Sequence, residues 1–137
     1  MNTIFHARRW AAIALIASAS LLLDGTPAKA GNPEKGRAIA EQHCSRCHVI
    51  AKHNPFGGIG STASFQMIAK MPDYRERFET FYARRPHPAF LRIPGIPRWS
   101  KQPGYAVEFK LTLEQVKDIA AFAETLVTMP IKRKRKK

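Results

Sequence analysis

The stretch Cys44-Ser45-Arg46-Cys47-His48 decides how the rest of the chain is interpreted. Two thiols stand three positions apart, and an imidazole follows the second thiol directly. This spacing is the pattern of a covalent haem attachment site, in which both thiols add to the vinyl groups of one porphyrin and the histidine binds its iron. The motif therefore predicts that Cys44 and Cys47 hold one haem covalently and that His48 is an axial ligand of the iron.

The first thirty residues have the composition of a secretory signal peptide. Arg8 and Arg9 form a basic start, an apolar run extends from Trp10 to Leu23, and Ala28-Lys29-Ala30 fits a small-x-small cleavage site. The apolar run is shorter than the roughly 20 residues that span a bilayer, which favours cleavage near Ala30 over a retained membrane anchor. We therefore expect residues 1–30 to be a signal peptide and the protein to be exported to the periplasm.

Cysteine usage agrees with export. The chain has two cysteines, and both belong to the motif, so no disulfide framework is expected. In an oxidising compartment Cys44 and Cys47 would tend to join each other unless another group used them. Covalent capture by a haem accounts for both the thiol pair and the leader.

The chain is strongly basic, with a formal net charge of +13. Six of the positive charges form the run Lys132 to Lys137 in a basic tail at residues 128–137, and such a block is expected to stay solvated. The leader argues against nucleic acid as a partner. Redox partner proteins with acidic surfaces, or an anionic membrane surface bound by the tail, fit the charge better, and a tail without a dedicated partner remains an alternative.

Two helices can be placed near the ends of the mature chain. Asn32 followed by Pro33 is a typical helix start and predicts a helix from Pro33 to about His43, which leads directly into the motif. Thr112 with Gln115 is a capping box and predicts a helix that runs to about Leu126.

The central region predicts one or two further helices and a long loop. A short helix is expected over Ser61–Met71, and Asp73 with Glu76 resembles a capping pair for another helix, whose aromatic face comprises Tyr74, Phe78, Phe81 and Tyr82. Residues 84–110 show neither a helical period nor a clear strand, and five prolines interrupt them. We therefore predict an all-α domain at residues 31–127, with three to four helices around one haem and a long Pro-rich loop before the C-terminal helix.

Over about Asn32 to Leu126 the chain resembles the class I c-type cytochromes, which carry a single haem. The resemblance implies one-electron transfer in the periplasm rather than enzymatic catalysis. It implies that the first helix crosses the last at a small residue packed against an aromatic one, where Gly36 and Phe122 stand. It also implies that a proline carbonyl after the motif, that of Pro55, accepts a hydrogen bond from the proximal histidine.

The chain departs from that family at the second axial ligand, which is usually a methionine before the last helix. Phe90 or Ala106 occupies that position, depending on the alignment, and no methionine lies between residues 72 and 128. Three possibilities follow for the sixth position of the iron. His87 binds it, Met71 reaches it, or the position is open and admits a small molecule.

These possibilities leave competing functions. An open sixth position would suit a protein that binds or senses nitric oxide, carbon monoxide or oxygen. A non-haem alternative is zinc bound by the motif together with His43, His53 or His87. A thioredoxin-like thiol role lacks the βαβ context it needs. No catalytic constellation is visible beyond the iron, so we do not expect an enzyme.

Overall fold

The computed structural model describes residues 30–97 and 106–130, a mostly helical small domain. Residues 1–29 of the predicted signal peptide, residues 98–105 of the predicted Pro-rich loop and residues 131–137 of the basic tail lie outside these ranges. The described part contains four α-helices, α1 (Pro33–His43), α2 (Phe65–Ile68), α3 (Tyr74–Thr80) and α4 (Leu113–Leu126), with 3-10 helices at Phe81–Ala83 and His87–Ala89. Within it, no helix combines the length and apolar character that crossing a membrane requires.

Helix α1 begins and ends where the sequence predicts. The Asn32 side chain accepts hydrogen bonds from the backbone N–H groups of Glu34 and Lys35 at 3.0 and 2.9 Å, and Pro33 occupies the first helical position. These contacts satisfy donors that a helix N-terminus otherwise leaves unpaired. The helix ends at His43, and Cys44 follows as its C-cap.

Helix α4 has the predicted capping box. Thr112 Oγ1 accepts from the Gln115 backbone N–H at 3.2 Å, and Gln115 Oε1 accepts from the Thr112 N–H at 2.8 Å. The helix ends at Leu126, as predicted, and turns one apolar face to the core, formed by Val116, Ile119, Phe122, Ala123 and Leu126.

Helices α1 and α4 cross in close contact at Gly36. A Cβ atom at this position would lie 1.9 Å from the backbone oxygen of Asp118, so only glycine allows the two backbones to approach this far. The Asn32 N–H also donates to Asp118 Oδ1 at 2.6 Å. The expected crossing at Gly36 is confirmed, but the atoms nearest to it belong to the backbone of Asp118 and Ile119. Phe122 is buried about one turn further along α4.

The central helices are shorter than predicted. Ser64 caps α2 by accepting from the Met67 N–H at 3.2 Å. Asp73 makes no capping hydrogen bond to α3, so this prediction was wrong. Its carboxylate instead accepts from Arg77 Nε at 2.7 Å, because a guanidinium one turn away competes for the same oxygen.

A short parallel strand pair corrects the all-α prediction. β1 (Leu91–Arg92) pairs with β2 (Phe109–Lys110), through hydrogen bonds from Phe109 N–H to the Phe90 carbonyl and from Leu111 N–H to the Arg92 carbonyl, each 3.0 Å long. Strands of two residues are too short to show an alternating pattern in the sequence. The pair therefore joins the early part of the predicted loop at residues 84–110 to its last residues.

Candidate functional site

The motif forms a tight turn directly after α1. The Cys44 carbonyl accepts from the Cys47 and His48 N–H groups at 3.1 and 2.8 Å, which brings the three predicted site residues together on one turn. The two thiols are half-buried and are not bonded to each other.

Asn54 organises the loop that follows the motif. Its Nδ2 donates to the carbonyls of Ser45 and His48 at 2.7 and 2.9 Å, and its Oδ1 accepts from the Ile50 N–H at 2.6 Å. One half-buried side chain thereby satisfies three backbone groups in a segment without regular structure. Sequence analysis missed this residue, although asparagine commonly bonds the backbone of nearby loop residues.

The ring of His48 is oriented by Ala63 rather than by Pro55. His48 Nδ1 lies 2.7 Å from the Ala63 carbonyl oxygen, so the expectation for Pro55 was wrong. The chain returns beside the motif because the Phe65 N–H donates to the Val49 carbonyl at 3.0 Å. A carbonyl can only accept, so Nδ1 carries the proton and Nε2 keeps the lone pair that can bind a metal.

The ring of His87 is also oriented by a backbone carbonyl. This residue opens the 3-10 helix His87–Ala89, and its Nδ1 lies 3.0 Å from the Arg84 carbonyl oxygen. The same argument places the proton on Nδ1 and leaves the lone pair on Nε2. Two histidines 39 positions apart in the chain therefore present the same tautomer.

The imidazoles of His48 and His87 form a parallel pair. Their ring centroids are 6.1 Å apart, and their planes differ by 3°. Two imidazole nitrogens that bind one metal ion from opposite sides, at about 2 Å each, place the ring centroids about 6 Å apart. The separation therefore suits a single metal ion between the rings.

Both imidazoles border one apolar cavity of about 340 Å³. Cys44 and Met71 also line it, whereas Cys47 is not part of the lining. The remaining lining residues are mostly apolar or aromatic, with arginines from one segment added: Ala63, Phe65, Ile68, Phe78, Phe81, Ile119, Arg77, Arg84 and Arg85. The cavity combines apolar walls with a few polar groups, as sites for flat organic cofactors do.

Aromatic rings hold both imidazoles in place. Phe65 meets His48 edge-on with ring centroids 5.4 Å apart, and Phe81 meets His87 edge-on at 5.3 Å. Phe90, one of the two residues aligned with the missing methionine, is 7 % exposed, and its ring centroid lies 5.9 Å from that of His87. Phe90 therefore packs beside the imidazole of His87.

Burial shifts the pKa values of His48, His87 and Cys44. It lowers the pKa of His48 against the opposing effect of the Ala63 hydrogen bond, and it lowers the pKa of His87, which the charge of His48 depresses further. Both rings are therefore neutral near pH 7, which is the form that binds metals. Burial also raises the pKa of the Cys44 thiol to about 12, with a smaller contribution from Cys47.

The other histidines considered for zinc lie elsewhere. The His43 ring stacks on Phe109 with centroids 4.7 Å apart, and His53 Nδ1 lies 3.6 Å from Glu41 Oε2. Across residues 30–97 and 106–130, no three His, Cys, Asp or Glu side chains are grouped so that they could hold a metal ion. Of the proposed fourth zinc ligands, only His87 borders the same cavity as the motif.

The chain matches no protein-family model, no curated protein and no solved structure.

Proposed function

We propose that this protein is a periplasmic monohaem c-type cytochrome that transfers one electron at a time. The observation that carries the proposal is the parallel pair of His48 and His87, 6.1 Å apart on a cavity that Cys44 also lines. The spacing of the motif adds the second thiol, Cys47, for covalent attachment.

In this proposal each site residue has a separate role. The thiols of Cys44 and Cys47 would hold the haem covalently, each by addition across one vinyl group, with a C–S bond formed and the thiol proton passed to the other vinyl carbon. Nε2 of His48 and Nε2 of His87 would be the ligand atoms for its iron. The carbonyls of Ala63 and Arg84 hold the two rings in the required tautomer and orientation.

The bound haem would supply a one-electron iron couple, and the chain would set its environment. Phe65, Phe78 and Phe81 exclude water from the cavity and keep the dielectric constant low around the iron. Two neutral imidazoles held by backbone hydrogen bonds keep the same ligands in both oxidation states. Little rearrangement then accompanies electron transfer, and two nitrogen ligands lower the potential relative to a histidine and methionine pair.

The position of His87 favours electron transfer over gas binding. An open sixth position was as plausible as His87 from the sequence, and Met71 was a third possibility. Met71 lines the same cavity, but the parallel orientation and separation relative to His48 are properties of His87. A nitrogen ligand held in this way would have to leave before a small gas could bind.

The surface charge fits a partner of opposite sign. Arg46, Lys52 and Arg85 are exposed near the motif and the mouth of the cavity, and we propose that an acidic redox partner docks there. The basic tail would add long-range attraction to the same partner or to an anionic membrane surface.

The test uses the full chain produced with export in a host that attaches haem covalently. Mass spectrometry under denaturing conditions should find one haem retained by the polypeptide. Voltammetry should give one reversible one-electron couple, and the reduced protein should show no spectral change with carbon monoxide. A methionine absorption band in the oxidised protein, near ~695 nm, should be absent.

Two variants separate the parts of the proposal. His87→Ala should retain the haem and make the reduced protein bind carbon monoxide, because a methyl group cannot bind iron. His53→Ala, which removes an exposed imidazole beside Glu41, should behave like the wild type. Purified protein that contains zinc and no iron would overturn the haem proposal. Carbon monoxide binding that is equal in the wild type and His87→Ala would overturn the role of His87.

A further inference from the structure

The segment that carries His87 is held by one arginine. Arg92 Nη1 donates to the carbonyls of Pro88 and Leu91, each at 2.9 Å, and Arg92 Nη2 donates to the Ala89 carbonyl at 3.2 Å. Arg92 Nη2 also contacts the Glu108 carboxylate. A single guanidinium therefore joins the turn after His87 to the chain that leads into β2.

Pro88 and Ala89 belong to the end of the 3-10 helix, and Arg92 donates to the carbonyls of both. The last carbonyls of any helix have no intrahelical donor, and a helix of three residues has little else to hold it. The planar guanidinium presents its N–H donors in a fixed fork that reaches several carbonyls at once, whereas a lysine carries three donors on one flexible, strongly hydrated ammonium. The Arg92 side chain is 20 % exposed, so its hydrogen bonds are largely shielded from water.

The direction of the helix determines where the imidazole lies. His87 N–H donates to the Arg84 carbonyl and Phe90 N–H donates to the His87 carbonyl, each at 3.0 Å, so the turn moves as one unit. If this turn moved away, the His87 ring would leave its parallel position opposite His48. Arg92 belongs to β1, which pairs with β2, and it does not line the cavity.

We propose that Arg92 is the positioning residue that keeps His87 at the sixth position and thereby closes the iron to small gases. This inference rests on the proposed function. Arg92 does not touch the metal; it acts through the turn that carries the ligand. With the hydrogen bonds of Arg92 in place, the site would transfer electrons. Without them, the iron would be open to small gases.

The test measures carbon monoxide binding to the reduced, haem-loaded full chain. Arg92→Gln should raise the apparent affinity for carbon monoxide by about tenfold or more, the change expected when a charge-assisted hydrogen bond to the turn is lost. Arg92→Lys should lie between the wild type and Arg92→Gln. The matched control is Arg75→Gln, which removes an exposed guanidinium paired with Glu124 and should leave the affinity unchanged.

The His87→Ala background distinguishes positioning from general destabilisation. If Arg92 acts through His87, Arg92→Gln should add nothing to the affinity of His87→Ala. An equal increase in both backgrounds would overturn the inference and leave the proposed function intact. If His87→Ala itself does not open the iron, the ligand assignment fails, and the inference fails with it.

A second variant keeps the test decisive if Arg92→Gln does not accumulate. Glu108→Gln removes the negative charge that faces Arg92 and leaves the three carbonyl contacts in place. It should shift the carbon monoxide affinity in the same direction by a smaller factor. Unchanged affinity in Glu108→Gln, together with Arg92→Lys that behaves like the wild type, would overturn the inference.

Discussion

At the scale of single residues, the site depends on side chains that bond the backbone. Asn54 closes the loop after the motif, Ala63 and Arg84 supply carbonyls to the two imidazoles, and Arg92 holds the distal turn. Irregular backbone has no repeating hydrogen-bond ladder, so these contacts replace one. The residues that would bind a cofactor are thus held in position by hydrogen bonds to other residues of the domain.

Asn54→Ala should lower the free energy of unfolding by about 1–3 kcal/mol, because it leaves backbone groups of Ser45, His48 and Ile50 without partners in a half-buried place. Urea denaturation followed by circular dichroism measures this. Gln66→Ala is the control, since Gln66 accepts a single longer bond of 3.3 Å from Ala51 in the same loop and should cost much less. Equal losses in both variants would contradict the role assigned to Asn54.

At the scale of elements, α1 and α4 form the frame that positions the motif. They make the most extensive contact of any two elements in the described ranges, and the motif begins where α1 ends. The crossing at Gly36 fixes the direction of α1, and therefore the side of the cavity on which Cys44 and His48 lie.

Gly36→Ala tests this crossing. The added methyl group would lie 1.9 Å from the Asp118 oxygen, so the helices must separate, and overpacking of this kind costs about 1–3 kcal/mol or more. Chemical denaturation should show this loss. Gly60→Ala is the control, because a Cβ there meets no atom within 4 Å and should leave the unfolding free energy nearly unchanged. A Gly36→Ala protein as stable as the wild type would mean that the helices cross elsewhere.

A second prediction at this scale compares two residues that look like caps in the sequence. Thr112→Ala should cost about 1 kcal/mol of stability, because it removes the acceptor for the Gln115 N–H at the start of α4. Asp73→Ala should have a smaller effect, because Asp73 caps nothing and forms only an exposed pair with Arg77. Thermal denaturation by circular dichroism ranks the two, and the reverse order would contradict the capping assignment.

At the scale of the whole molecule, one cavity brings together residues that are far apart in the sequence. Cys44 and His48 of the motif line it together with His87, and Phe65, Phe78 and Ile119 contribute apolar walls. An apolar cavity of about 340 Å³ in so small a domain is a substantial loss of packing unless a cofactor fills it.

The double variant Cys44→Ala/Cys47→Ala, which cannot attach a haem covalently, should therefore melt at least about 10 °C below the haem-loaded wild type, a shift that corresponds to about 2 kcal/mol in a domain of this size. Circular dichroism should still detect helix, since the crossing at Gly36 does not depend on the thiols. Ser45→Ala, which changes the motif between its cysteines and keeps both thiols, is the control. Equal melting temperatures for the double variant and the wild type would contradict the structural role of the cofactor.

Local patterns determined much of this protein. The bounds of α1 and α4, their caps and the turn of Cys44, Cys47 and His48 follow from contacts between residues a few positions apart, which a sequence displays directly. The tertiary structure alone decided the partner of His48, the place of His87 opposite it, the strand pair and the contact between Arg92 and Glu108. Each of these contacts joins segments that are far apart in the sequence. Their relative positions depend on the conformation of the loops between them, which leaves no periodic pattern in the sequence. The residues on the His48 side of the site are neighbours in the sequence, whereas His87 comes beside them only when the chain folds.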